Sequence, residues 1–248
     1  AIPIMHRVCQ SHQSALGHVA NMEYSLLYFP MPGAPGELVR VTLVVCGIEF
    51  EDKVTTGVEW GGIKQTTMFG QMPVLKATDG SLELAQSKAI VRFLAKTSKT
   101  PAGAALYPAD ALQAVQVDMM MDTLDEIRTY LIPTFSIQDQ AEKEAARAAL
   151  FDEGGKILEG LKKVERQIAT ADGYLVGGTL SLADLTAFAV VNQVRAGFMD
   201  GAPTDGWIDQ LPKLKAVVAQ VAAVPVISAY YAQKAESNKL FAPHAGLK

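Results

Sequence analysis

Cysteine is scarce in this chain of 248 residues, with Cys9 and Cys46 the only two. They form neither a CxxC pair nor the set of bridges on which small secreted folds rely, so a reducing compartment is the default. Basic charge is not in excess. Lys and Arg total 22 against 26 Asp and Glu, and the net charge of −4 leaves no electrostatic footprint for nucleic acid. Long apolar runs are missing as well. The longest, "AVVAQVAAVPVISAYY", is interrupted by Gln220 and Pro225, so no membrane span is expected. Metal-ligand spacing is also lacking, since His6, His12 and His18 recur every six residues and match no common ligand pattern. No internal repeat occurs.

What is present is an ordinary globular composition, 49% hydrophobic and 19% charged, long enough for a sizeable core. Residues 1–23 hold one arginine, three histidines and almost no acid. They are expected to stand outside the fold, as a solvated tail or as the mature end of a processed organelle-targeting sequence. From Tyr24 strand and helix signals alternate. "EYSLLYF" is β-like, "GELVRVTLVVCG" is an amphipathic helix stopped by Gly47, and "IEFEDKV" alternates as a half-buried strand does. "MPVLKAT" and "SLEL", joined at Asp79-Gly80, read as a hairpin, and "QSKAIVRFLAK" is a second helix with Ala89, Ile90, Phe93 and Leu94 on one face. The order β-α-β-loop-β-β-α is a small α/β unit over 24–96. A polar, Pro/Gly-rich linker follows at 97–109. Strand signals vanish beyond Pro108, and helical periodicity makes 110–248 an all-α domain.

Several short stretches carry possible chemistry. Tyr28 ends the first strand and precedes "PMPGAPGE". It is either one more core tyrosine or a hydroxyl donor held at a strand end by Pro30, Pro32 and Pro35, able to stabilise an anion. Met72-Pro73 in "GQMPVL" is either a plain loop proline or a cis bond that turns the Met72 backbone toward an extended peptide. Gln86 and Ser87 open a helix directly after a strand. There Ser87 either caps its own helix or joins the free N–H groups in holding a carboxylate. Trp60 and Lys64 in "EWGGIK" are placed in a loop, where the lysine is either solvated or paired with a substrate carboxylate. Asp118, Asp122 and Asp125, with Glu126 beside them, line one face of the first long α-domain helix. Such a stripe is either wet surface or an attractor for an ammonium group or a cation. "SLAD" at Ser181–Asp184 reads as a capping box that starts a core helix.

Taken in order, the strand-end tyrosine, "EWGGIK", "GQMPVL", "ELAQSKAIVRFLAK" and "YLVGGTLSLADL" resemble the cytosolic glutathione transferases. The likeness is greatest to the sigma class, which includes the glutathione-dependent prostaglandin D synthases. It runs from Tyr24 to the C-terminal helices and implies a thioredoxin-like α/β domain followed by an all-helical one, the glutathione transferase fold. It further implies glutathione as a substrate, no required metal, a homodimer and a cytosolic setting. Carried over residue by residue, Gln86 and Ser87 would hold the γ-glutamyl carboxylate and the Met72 backbone the cysteinyl unit. Trp60 and Lys64 would hold the glycine end, with Gln71 nearby. Glu126 would meet the γ-glutamyl amine across the dimer, at a position where sigma members often carry aspartate. Tyr28 would donate to the sulfur, Phe29 and Met31 would wall the site of a hydrophobic second substrate, and Met72-Pro73 would be cis. The departure lies after Tyr28. Two arginines found there in the sigma class are absent, and the loop is one residue longer. Transfer of the glutathione thiolate to hydrophobic electrophiles, or peroxide reduction, is therefore the leading expectation. A non-catalytic subunit of the same fold and a prostaglandin-type isomerase are the alternatives.

Overall fold

A computed structural model describes residues 22–169 and 173–245. The expectations for Cys9, His6, His12 and His18 fall outside the described residues. Four strands form one mixed sheet: β1 (Tyr24–Tyr28), β2 (Phe50–Val54), β3 (Val74–Ala77) and β4 (Glu83–Ala85), in the order β2-β1-β3-β4. β1 runs parallel to β2, and such a pairing needs a crossover, here α1 (Ala34–Val45). β3 and β4 are an antiparallel hairpin whose turn includes Gly80 at φ +75°. On β1, Tyr24, Leu26 and Tyr28 share one face, and all three are buried.

Between β2 and β3 the sequence pattern predicts a loop, and the structure instead contains α2 (Gly57–Ile63). This helix buries none of its residues, so it carries no apolar period to read. It is set by its start: Thr56 accepts from the Glu59 N–H, and the Glu59 carboxylate accepts from the Thr56 N–H at 2.8 Å. Trp60 therefore sits on a helix and Lys64 opens a short 3-10 turn. α3 (Ser87–Thr97) completes this half and packs against α1.

The rest is helical: α4 (Ala111–Thr129), α5 (Gln140–Ala149), α6 (Lys156–Glu165), α7 (Leu182–Arg195), α8 (Pro212–Ala222), α9 (Pro225–Ser237) and the short α10 (Ala242–Ala245). Two stretches with continuous helical periodicity are each divided. Gly154 at φ +80° precedes the start of α6, and Pro225 takes the first-turn position of α9, where its missing N–H costs nothing. The α8–α9 pair holds the longest apolar run but is bent by 80°, and no single helix among the described residues is long and apolar enough to cross a membrane. α7 is buried from Leu182 to Val194 and packs against α1, α4 and α8. The expected capping box is present, with Asp184 accepting from the Ser181 N–H at 2.8 Å and also from the Leu175 N–H at 2.7 Å.

Charged groups stitch the two halves together beneath the first loop. Arg40 of α1 has no exposed surface. Its Nε donates to both oxygens of Asp52 at 3.0 and 3.1 Å, and its Nη1 to Glu37 at 3.3 Å. From α9, the Tyr231 hydroxyl donates to Glu37 and Lys234 donates to Asp52 at 2.6 Å. From α7, Gln193 accepts the Ala34 N–H at 2.9 Å and so satisfies a free donor of the first turn of α1. Removing the cation would leave Glu37 buried beside Asp52 with no guanidinium, a change that costs about 3–5 kcal/mol. Arg40→Met is expected to lose that much in urea unfolding, a large share of the roughly 5–15 kcal/mol typical of a folded domain.

Candidate active site at the seam of the two halves

Tyr28 is held from three directions. The first turn of α1 lies so close to its ring that a Cβ on Gly36 would stand 2.1 Å from Tyr28 Cδ1. The Arg40 guanidinium lies 5.5 Å from the ring centroid, and the Phe29 ring meets it edge-on at 5.7 Å. The following loop is gripped by its carbonyls. Arg40 donates to Phe29 O at 2.9 Å and to Met31 O at 3.1 Å, and Asn238 donates to Pro30 O at 2.7 Å. Proline has no N–H to satisfy, so the exposed Pro30 and the buried Pro32 both suit a loop held through its oxygens. Burial raises the Tyr28 pKa above its ordinary value of 10, although Arg128, Arg40 and the Gly36 N–H pull against it. The phenol is therefore protonated at neutral pH and available as an O–H donor.

In front of Tyr28 and Phe29 lies a cleft of about 610 Å³. Trp60 from α2 and Gln71, Met72 and Pro73 ahead of β3 form one wall, and Gln86 and Ser87 form another. The Met72-Pro73 bond is cis, as expected. Ser87 is the first helical residue of α3 and does not act as its cap. The capping position belongs to Gln86, whose side chain makes no cap bond and donates to Gln71 Oε1 at 2.9 Å. The N–H groups of the first turn thus open into the cleft, where the helix dipole favours an anion. Gln86 is also the one described non-glycine residue with positive φ, at 69°. Such a backbone costs about 1–3 kcal/mol and gathers at binding sites.

Three expected site residues lie elsewhere. Lys64 is exposed and does not itself line the cleft; its Cε lies 3.6 Å from the point where a Cβ on the lining residue Gly70 would stand. Met31 is half-buried and does not line the cleft. Glu126 is exposed and lines a separate groove of about 320 Å³ with Lys156 and Lys163.

Four charged residues not expected as ligands do line the cleft: Lys88, Arg92, Asp125 and Arg128. They belong to a pair of matched stripes. The carboxylates of α4 face the cations of α3, with Asp118–Arg92 at 2.7 Å, Asp122–Lys88 at 2.8 Å and Asp125–Lys88 at 3.2 Å. The stripe is thus a partly wet surface whose carboxylates are paired with cations of α3, and among the described residues no His/Cys/Asp/Glu group could hold a metal. The spacing of Lys88 and Arg92, four apart against acids at four and three, was the signal available in the sequence.

A thioredoxin-like sheet joined to a helical bundle, with a peptide-sized cleft on their seam, defines a two-domain class of thiol-handling proteins. Comparison with known proteins narrows this. Residues 122–234 match the family model "Glutathione S-transferase, C-terminal domain". The chain is 33% identical over 200 residues to probable glutathione S-transferase 7 of Caenorhabditis elegans, covering 79% of this chain and 88% of that one. It is 30% identical to glutathione S-transferase P of Macaca mulatta, covering 87% and 94%. Among solved structures, prostaglandin synthase D of Nilaparvata lugens superposes with a TM-score of 0.71 at 30% identity, covering 85% and 98%. The chain belongs to the glutathione S-transferase family, and by that membership it is a glutathione S-transferase enzyme.

Two variants test the geometry. Gly36→Ala forces a methyl group into the Tyr28 ring and is expected to destabilise the protein by about 1–3 kcal/mol in urea unfolding. Gln86→Gly relieves the positive φ and is expected to raise stability by about 1 kcal/mol in the same assay.

Proposed function

We propose that the cleft binds glutathione and that the enzyme transfers its thiolate to small hydrophobic electrophiles, or uses it to reduce peroxides, with Tyr28 donating a hydrogen bond to the sulfur. The observation that carries this is the presence, in one cleft, of a fixed protonated phenol and the uncapped start of α3. The γ-glutamyl carboxylate would lie on Gln86 and Ser87, the cysteinyl unit along Met72, and the glycyl end toward Trp60, Gln71 and Lys64. Lys88, Arg92 and Arg128 in the lining, although paired with Asp122, Asp118 and Asp125, supply N–H donors that suit an anionic peptide. A free thiol titrates near about 8.5, and one well-placed donor in a half-dry site lowers that by about one or two units, each equal to roughly 1.4 kcal/mol. The chemistry requires no metal. Phe29, with Met31 behind it, would form the apolar wall for the second substrate.

In this reading residues 24–96 are the glutathione-binding unit, 97–109 the linker and 110–248 the helical unit of a sigma-like cytosolic enzyme. It works as a homodimer, which the exposed Met68, Phe69, Leu112, Val115 and Met119 support. Glu126, turned away from its own cleft, would then reach the partner's γ-glutamyl amine. The similarity to a prostaglandin synthase structure favours a second reading, isomerisation of a prostaglandin endoperoxide.

Conjugation of glutathione to a generic aryl halide, measured alongside glutathione binding, tests the proposal. Tyr28→Phe is expected to keep binding and to lose about ten- to a hundredfold in kcat/KM. Absence of glutathione binding by the native protein would sink the reading, and equal turnover by the variant would remove Tyr28 from its role. Binding with negligible turnover by both would support a non-catalytic protein. An endoperoxide offered in place of the aryl halide decides the isomerase reading.

A further inference from the structure

We propose that Arg128, in the last turn of α4 and so from the helical half, supplies the positive charge that holds the substrate sulfur as thiolate beside Tyr28. This rests on the glutathione reading above.

The first loop cannot provide that charge, because Phe29 to Gly36 contains no lysine or arginine. Arg40 is the next cation along the chain. It is fully buried, all three of its guanidinium nitrogens are engaged, and its charge is already matched by Glu37 and Asp52. It has no surface to offer a ligand.

Arg128 differs on each point. It lines the cleft together with Tyr28, and its side chain is 16% exposed. Asp125 Oδ1 accepts from its Nε at 3.1 Å and its Nη2 at 2.9 Å. No further hydrogen bond joins Nη1 to a described residue, so the guanidinium is fixed along one edge and open along the other. Asp125 is itself paired with Lys88 at 3.2 Å. Lys88 also meets Asp122 at 2.8 Å and Arg92 meets Asp118 at 2.7 Å, so the three cations and three carboxylates balance, and what Arg128 offers the cleft is the open edge of a guanidinium whose counterion is shared with Lys88. The last turn of a helix also favours a cation, which helps keep Arg128 in place.

At the Tyr28 phenol burial works against an anion, Arg128 and then Arg40 favour one, and Glu37 opposes. A sulfur hydrogen-bonded to that hydroxyl lies in the same field. Its proton leaves to solvent, and the remaining negative charge is met by the hydroxyl dipole and the guanidinium. An opposite charge a few ångströms away lowers a pKa by about 1–3 units, and Asp125 offsets part of that here, leaving about one.

The experiment follows the ultraviolet absorbance of the thiolate of bound glutathione across pH, with glutathione affinity measured by calorimetry. Arg128→Gln is expected to raise the pH of half-ionisation by about one unit, an approximately tenfold loss of thiolate below it, with affinity measured at a pH below both midpoints changed less than about threefold. Arg128→Lys is expected to restore most of the shift. Asp125→Asn, which frees the guanidinium of its counterion, is expected to move the midpoint the opposite way, to lower pH. A midpoint in Arg128→Gln equal to the native one overturns the proposal. Should that variant fail to fold, an Asp125→Asn midpoint that does not fall overturns it instead. Failure of the native protein to bind glutathione overturns the reading beneath it, and is told apart because no thiolate signal then exists to shift.

Discussion

A guanidinium taken entirely out of water must find partners for its fan of N–H donors, and Arg40 finds them in two carboxylates and two backbone carbonyls. Those partners come from three places: α1 itself, the middle of β2, and the loop after β1. Because Tyr231 and Lys234 of α9 bind the same two carboxylates, the network also reaches the helical half. One buried charge thus fixes the crossover helix to the sheet, the first loop to both, and the C-terminal helices to all three. Tyr28 inherits its position from this arrangement. Its ring is pinned between the first turn of α1 and the guanidinium, and the residue lines the cleft.

The cleft shows a second use of opposed charge. Acidic residues spaced along α4 meet basic residues spaced along α3, so the two halves dock with their charges in register. Pairing of this kind on a partly wet surface adds little stability on its own. Its consequence is positional: it brings the last turn of α4, with Arg128, to the mouth of a site otherwise built from the α/β half. A cleft on such a seam takes its backbone donors from one unit and its side-chain charges from both.

Much of this was legible in the chain. Tyr28 at a strand end, the strand-to-helix step at Gln86-Ser87, and the capping box at Ser181 and Asp184 each follow from a local rule whose residues are neighbours in sequence, whereas the cis bond at Met72-Pro73 was implied by the family resemblance. The helix at Gly57–Ile63 was hidden although its own capping box, Thr56 with Glu59, stood in plain view, because a helix that buries nothing shows no apolar period. The two broken helices were marked by Gly154 and Pro225, which periodicity alone does not weigh.

The residue order by itself determined the α/β-then-α succession of elements and the strand-to-helix step at Gln86-Ser87, since each depends on a pattern within a few positions along the chain, whereas the grip on Tyr28 draws on Arg40 and Asn238. Only the tertiary structure decided which charges meet in the cleft. Asp125 and Glu126 are adjacent, yet one lines the site and the other lines a different groove, because neighbouring helix positions point about 100° apart and the packing of α4 on α3 selects between them. For the same reason Arg128 enters the cleft while Met31, three residues from Tyr28, does not. Direction across a seam between two folded units is set by how they dock, and that information is spread over both.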